Sequence, residues 1–178
     1  MVRFLLQLIV IMALLVVRRA DALTNPQFWA EDATIFFKTA FEQPTLSSLL
    51  APYAGYLHLI PRCVALVCVR LFEPEAIPLV FNGAAILIAG LCLTLFASTR
   101  FRYLVRSDAV RFAACVLVAY AQPGTEIINM LTNVQWYLTL GSLLLLVMPV
   151  ASIAGGAAVV VAQLVAGLTC PMNLFLVP

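Results

Sequence analysis

Three stretches of the chain carry side chains able to do chemistry. The first is Trp29-Ala30-Glu31-Asp32, two adjacent carboxylates beside an indole. Such a pair can take a proton from a hydroxyl, or grip a hydroxyl or a divalent cation. A solvated helix start would also gather acids, because carboxylates favour helix amino termini. The second stretch, Pro52-Tyr53-Ala54-Gly55-Tyr56-Leu57-His58-Leu59-Ile60-Pro61-Arg62, ends in an arginine suited to pairing bidentately with phosphate. Its bland alternative is snorkelling, with the stem on apolar surface and the charge in a polar boundary. His58, the only histidine, reads by itself as a hydrogen-bonded structural ring. The third stretch is Glu126 with Thr132-Asn133-Val134-Gln135-Trp136-Tyr137. Asn133 and Gln135 could bond sugar hydroxyls and Trp136 could stack on a pyranose, although Trp and Tyr also mark an aromatic belt.

The surrounding composition says where these residues must work. Of 178 residues, 64% are hydrophobic and 10% charged, against about a quarter charged in a soluble domain. With a mean hydropathy of +1.07, the expectation is an all-α fold, a polytopic membrane helix bundle with a long first outer loop containing interfacial helices. The five cysteines lie in apolar surroundings, no CxxC occurs, and one histidine cannot complete a finger-type zinc site. No Walker-type loop, GxGxxG, HExxH or nucleophile elbow is present, so soluble nucleotide chemistry is not expected, nor is a nucleic-acid partner.

One membrane domain over 1–178 is expected, with spans at about 4–18, 77–97, 109–121, 135–150 and 157–177. The first could pass for a signal-peptide core, but Arg18 and Arg19 fall where a cleavage site would be small and neutral. Residues 19–76 form the outer loop. Within it, 56–72 is apolar but holds His58, Pro61, Arg62 and Arg70. Proline sits best in a first helical turn, which predicts a helix over about 61–72. That is roughly 12 residues, short of the 20 a crossing needs, so an interfacial or re-entrant helix is the better reading.

Charge decides the topology. If 56–72 crosses, the arginines at 100, 102, 106 and 111 share a side with Glu31 and Asp32. If it lies in the interface, those arginines face the cytoplasm while Glu31, Asp32 and Glu126 face outward, as the positive-inside rule favours. Arg18 and Arg19 oppose that choice. The spans 77–97, 135–150 and 157–177 hold no charge, which argues against a transporter with midplane charges.

Taken together, Phe28-Trp29-Ala30-Glu31-Asp32, Pro52 to His58 with Pro61-Arg62, and Thr132 to Tyr137 resemble bacterial membrane proteins of the GT-C glycosyltransferase superfamily. The resemblance covers residues 25 to about 140. It implies sugar transfer from a polyprenyl-phosphate-linked donor to an acceptor on the outer side of the bacterial inner membrane. On that likeness Asp32 is the base or the metal-and-acceptor ligand, with Glu31 as its understudy and Glu126 as a second acid. Arg62 with His58 would meet the donor phosphate, and Tyr56, Asn133, Gln135 and Trp136 the sugar or acceptor. A divalent cation, Mg or Mn, is the cofactor such a site could add, at Asp32. Ala33 stands where related sequences often have glycine, and those enzymes carry many more helices, so a fragment inactive alone is expected. A non-catalytic membrane subunit or transporter component is the alternative.

Overall fold

The apolar run behind Arg3 winds into helix α1, Val2–Arg18, in a computed structural model that describes residues 2–121 and 127–176. No proline or glycine interrupts it, and Ile11 and Leu15, four residues apart on one face, are fully buried. The expected outer loop 19–76 contains α2 (Asp21–Thr24), a π-helical turn (Asp32–Phe37), α3 (Lys38–Glu42), a 3-10 turn (Leu46–Leu50) and α4 (Leu59–Leu71). After it come α5 (Ile77–Thr94), α6 (Asp108–Ala121), α7 (Val134–Val147) and α8 (Ile153–Thr169). The fold is all-α, with no strand among the described residues and a single bridge joining Tyr53 to Tyr56.

Side-chain bonds order the long helices into a bundle with two distinct ends. Arg3, at the start of α1, bonds Asp108 at the start of α6, and Arg18, at its end, donates to the Ala119 carbonyl at 2.7 Å. These two helices therefore run together. Beyond α5, Arg100 donates to the Pro149 carbonyl at 3.1 Å and the Tyr103 hydroxyl to that of Val147, so α5 and α7 finish side by side. The Ile60 amide donates to Thr169 Oγ1 at 3.2 Å, which brings the end of α8 to the start of α4. One end thus collects Arg3, the 98–108 turn and residues 147–152; the opposite end collects residues 19–76 and 127–133.

Small residues set the closest helix approaches. A Cβ at Gly90 on α5 would stand 2.7 Å from Met12 Cγ on α1, and one at Gly141 on α7 would stand 3.0 Å from Cys92 Sγ. α4 packs Ala65 and Cys68 against Phe36, Ile77, Phe81 and Ala85 at the acid end. Its bounds, 59–71, sit near the expected 61–72, with Pro61 in the first turn.

Two helix ends differ from expectation. The helix placed at 157–177 occupies Ile153–Thr169. It starts early because Ser152 Oγ caps it, accepting the Gly155 amide at 3.1 Å. It stops early because Pro171 forces Cys170 extended, φ −143° and ψ 122°. Proline acts likewise on α7, which ends at Val147 rather than 150, with Met148 extended before Pro149.

Apolar side chains line the outside of the bundle as well as its core. Leu5, Leu6, Ile9, Leu87, Leu117 and Val161 are exposed, while Gln7, Asn82, Arg111 and Gln163 are buried. Among the described residues one helical stretch, Pro74–Tyr103, is long and apolar enough to cross a membrane, with mean hydropathy 2.3 over its most apolar window. Helices α6 and α7 have 14 residues each, about 21 Å at the helical rise of about 1.5 Å.

Candidate functional site

The acid end is built from backbone that ordinary side chains rarely adopt. Among the described residues four non-glycine residues have positive φ, Ala30 (44°), Ala54 (50°), His58 (52°) and Asn129 (60°), and all four lie at this end. Such conformations cost free energy and persist where the surroundings over-determine them. Ala30 turns the chain so that Asp32 enters the π-helical turn. Asp32 and Phe36 then point inward, each about 1% exposed, while Glu31 stays half-buried. π-helical turns recur at functional sites.

Asp32 reaches across to the segment before α7. Its Oδ1 accepts the Thr132 hydroxyl at 2.6 Å and the Thr132 amide at 2.8 Å, and its Oδ2 accepts the Leu131 amide at 3.2 Å. Burial pushes its pKa up to about 6; the Thr132 and Leu131 bonds oppose the rise and the Glu31 charge adds to it. The receiving segment is itself anchored to the end of α1. Asn129 donates to the Leu15 carbonyl at 3.1 Å, and Arg19 donates to the Ile128 carbonyl at 2.8 Å while its guanidinium lies 5.6 Å from the Trp29 ring.

The second motif folds as a tight turn. Ala54 and Gly55 (φ 89°) both have positive φ, and Tyr53 and Tyr56 exchange backbone bonds of 2.9 and 3.1 Å. That is a type I′ turn, for which glycine at the second central position is favoured. The Tyr53 hydroxyl donates to Glu31 at 3.4 Å and the Tyr56 hydroxyl to Gln135 Oε1 at 3.0 Å. His58 stacks on Tyr56 at 3.8 Å between centroids and lies 5.2 Å from Phe36. Burial lowers the His58 pKa, which favours the neutral ring, and raises that of the Tyr56 phenol.

Arg62 is 3% exposed. Its Nε donates to the Leu57 carbonyl at 2.9 Å, its Nη1 to the Ser48 carbonyl at 3.1 Å, and its guanidinium lies 5.5 Å from the Phe36 ring. Burial draws its pKa down.

Residues from three sequence segments therefore interlock: Glu31 with Tyr53, Asp32 with Thr132, Tyr56 with Gln135, and His58 and Arg62 both against Phe36. Trp136 is 48% exposed and Asn133 Nδ2 lies 3.7 Å from Met130 Sδ. Glu126 lies outside the described residues. Sequence reasoning quoted Thr132 without a role, weighed Arg19 only for topology and cleavage, and gave Phe36, Ser48 and Asn129 no part in the site. The Ala-Gly pair between two tyrosines was a readable turn signal; nothing local marks Ser48.

A divalent cation fits the described donors poorly. Hard cations ask for about six oxygens or more, yet both Asp32 oxygens already accept bonds and no group of three His, Cys, Asp or Glu gathers among the described residues. No family model, curated protein or solved structure matches the chain.

Proposed function

We propose that the chain is a module of a polytopic bacterial membrane glycosyltransferase, GT-C-like, that moves a sugar from a polyprenyl-phosphate-linked donor to an acceptor at the extracytoplasmic face. One observation carries the reading: three chemistry-bearing segments, 29–32, 52–62 and 132–137, meet at one end of the bundle, opposite the cluster of Arg100, Arg102, Arg106 and Arg111. The membrane setting is supported by the many exposed apolar side chains, since a soluble protein rarely exposes contiguous apolar patches beyond a few hundred Å². With the arginine end cytoplasmic, the acid end faces outward.

The reaction is a direct displacement. The acceptor hydroxyl oxygen bonds to the anomeric carbon, the bond from that carbon to the donor phosphate oxygen breaks, and the phosphate leaves with the electron pair. Asp32 takes the hydroxyl proton, and a carboxyl titrating near 6 is matched to that task. The Thr132 hydroxyl must release Oδ1 first, so acceptor entry is coupled to movement of the 131–132 backbone. Arg62, with Nε and Nη1 spent on carbonyls, offers its second terminal nitrogen to the leaving phosphate. Tyr56, Gln135, Asn133 and Trp136 are the groups for sugar hydroxyls and ring face.

The burial of Asp32 under three donors favours a second reading, a non-catalytic membrane subunit in which Asp32 only ties two loops together. The decisive experiment uses a photoreactive polyprenyl-phosphate sugar on the chain in lipid nanodiscs. Crosslinks within 29–62 or 132–137, competed by unmodified donor, support the transferase. Crosslinks scattered over the apolar exterior, uncompeted, leave the second reading standing.

A further inference from the structure

A cavity of about 420 Å³ lies away from the acid end. It opens at the arginine end, between the start of α1, the turn after α5 and the start of α6. Arg3, Arg100, Gln7, Ser98, Thr99 and the Asp108 carboxylate supply polar groups there, and Phe4, Leu95 and Met148 an apolar wall.

The charge around it does not balance. Asp108 alone receives three guanidinium groups, from Arg3, Arg102 (Nε at 3.0 Å and Nη2 at 2.7 Å) and Arg111. Arg100 adds a fourth cation on the rim. Arg3 and Arg100 in the lining, with the Ser98 and Thr99 hydroxyls beside them and Asp108 already held by Arg102 and Arg111, suit the tetrahedral oxygens of a phosphate.

We propose that this pocket binds a phosphate group, supplied by the phosphodiester of an anionic lipid headgroup. The apolar wall selects the lipid source, because a free phosphate gains nothing from Phe4, Leu95 and Met148, whereas a glycerol and the first acyl carbons cover them. The lipid source rests on the membrane reading above; recognition of phosphate does not.

The test is native mass spectrometry of the full chain in detergent with phosphatidylglycerol, phosphatidylcholine or inorganic phosphate. One phosphatidylglycerol is retained in preference to phosphatidylcholine, whose choline cation meets the arginines. Arg3→Gln and Arg100→Gln each weaken retention about five-fold, as expected for one basic group at an anionic headgroup. Lys38→Gln, which removes the same charge at the other end, leaves it unchanged. Wild-type retention in both arginine variants, or an equal loss in Lys38→Gln, overturns the site. Displacement of the lipid by millimolar inorganic phosphate, with the same dependence on Arg3 and Arg100, keeps the phosphate site and overturns the lipid source. Extraction of the chain from membranes by alkaline carbonate defeats the membrane reading and the lipid source with it, while the inorganic phosphate arm still decides the pocket.

Discussion

The Asp32 carboxylate and the Thr132 hydroxyl stand 2.6 Å apart in space and 100 residues apart in sequence. The bond is charge-assisted whenever Asp32 is ionised, and it fastens the first long loop to the segment that leads into α7. Asp32 accepts three bonds yet titrates near 6, so burial outweighs the hydrogen bonds that favour its charge.

The first consequence concerns pH. Because the folded pKa of Asp32, about 6, lies above its ordinary 3.8, the folded chain holds an extra proton between those values. The stability this group contributes is complete below about pH 4 and is lost as pH rises through 6, by about 3 kcal/mol. Thermal unfolding at pH 4.5 and 7.5 reads it. About 2 kcal/mol of that total falls between these two pH values, and the loss between them should shrink by that amount in Asp32→Asn; an unchanged slope would mean that Asp32 titrates normally.

Thr132→Val removes the shortest bond to Asp32 and keeps the side-chain shape. Stability at pH 7.5 should fall by about 1.5–3 kcal/mol. The pH midpoint tied to Asp32 should move upward, since the Thr132 hydroxyl holds that pKa down. A downward move would contradict the assignment.

Tyr56 has two separable contacts. Tyr56→Phe deletes only the bond to Gln135 and should cost about 1 kcal/mol, while Tyr56→Ala also loses the stack on His58, worth about 0.5–1.5 kcal/mol more. A double-mutant cycle of Tyr56→Phe with Gln135→Leu should show coupling; additive losses would place the hydroxyl elsewhere.

Arg62→Lys keeps the charge but not the fork that reaches Leu57 and Ser48 together. It should lose about 1–3 kcal/mol for the carbonyl left unpaired, and Arg62→Met more. Equal stability of Arg62→Lys and wild type would show that charge, not geometry, fixes the 46–62 segment.

Orientation is open to chemical labelling. In a Cys63→Ser background, a membrane-impermeant maleimide should modify Ser47→Cys from outside intact cells, and Arg106→Cys only after lysis. The reverse pattern would invert the bundle and remove the extracytoplasmic site.

Much of this arrangement was written locally in the sequence. Pro61 in the first turn of α4 and the interruption after Ala97 are read from residue type, because proline and helix-ending turns act within a few positions. The limits of α8 were legible too, had Ser152 been taken as a cap three residues before Gly155. The site was legible only as motifs. That Asp32 would be sealed by Thr132, or that Arg62 would spend two donors on Ser48 and Leu57, depends on contacts 100, 14 and 5 residues away along the chain. No window of sequence carries the first of these. The arginines at 100, 102, 106 and 111 followed the same division: their clustering was plain in the sequence, whereas the meeting of Arg102 and Arg111 on Asp108 needed the turn after α5 to bring Arg102 beside α6.

The clasp between residues 32 and 132 also sets a timetable. A ribosome adding about 5–20 residues per second makes Asp32 roughly 5–20 s before Thr132. Through that interval Asp32 has no Thr132 to meet, and Arg19, whose partner carbonyl belongs to Ile128, waits as well. The acid end is therefore completed late in synthesis, and any nascent chain halted before residue 131 leaves the exit tunnel with this site half made.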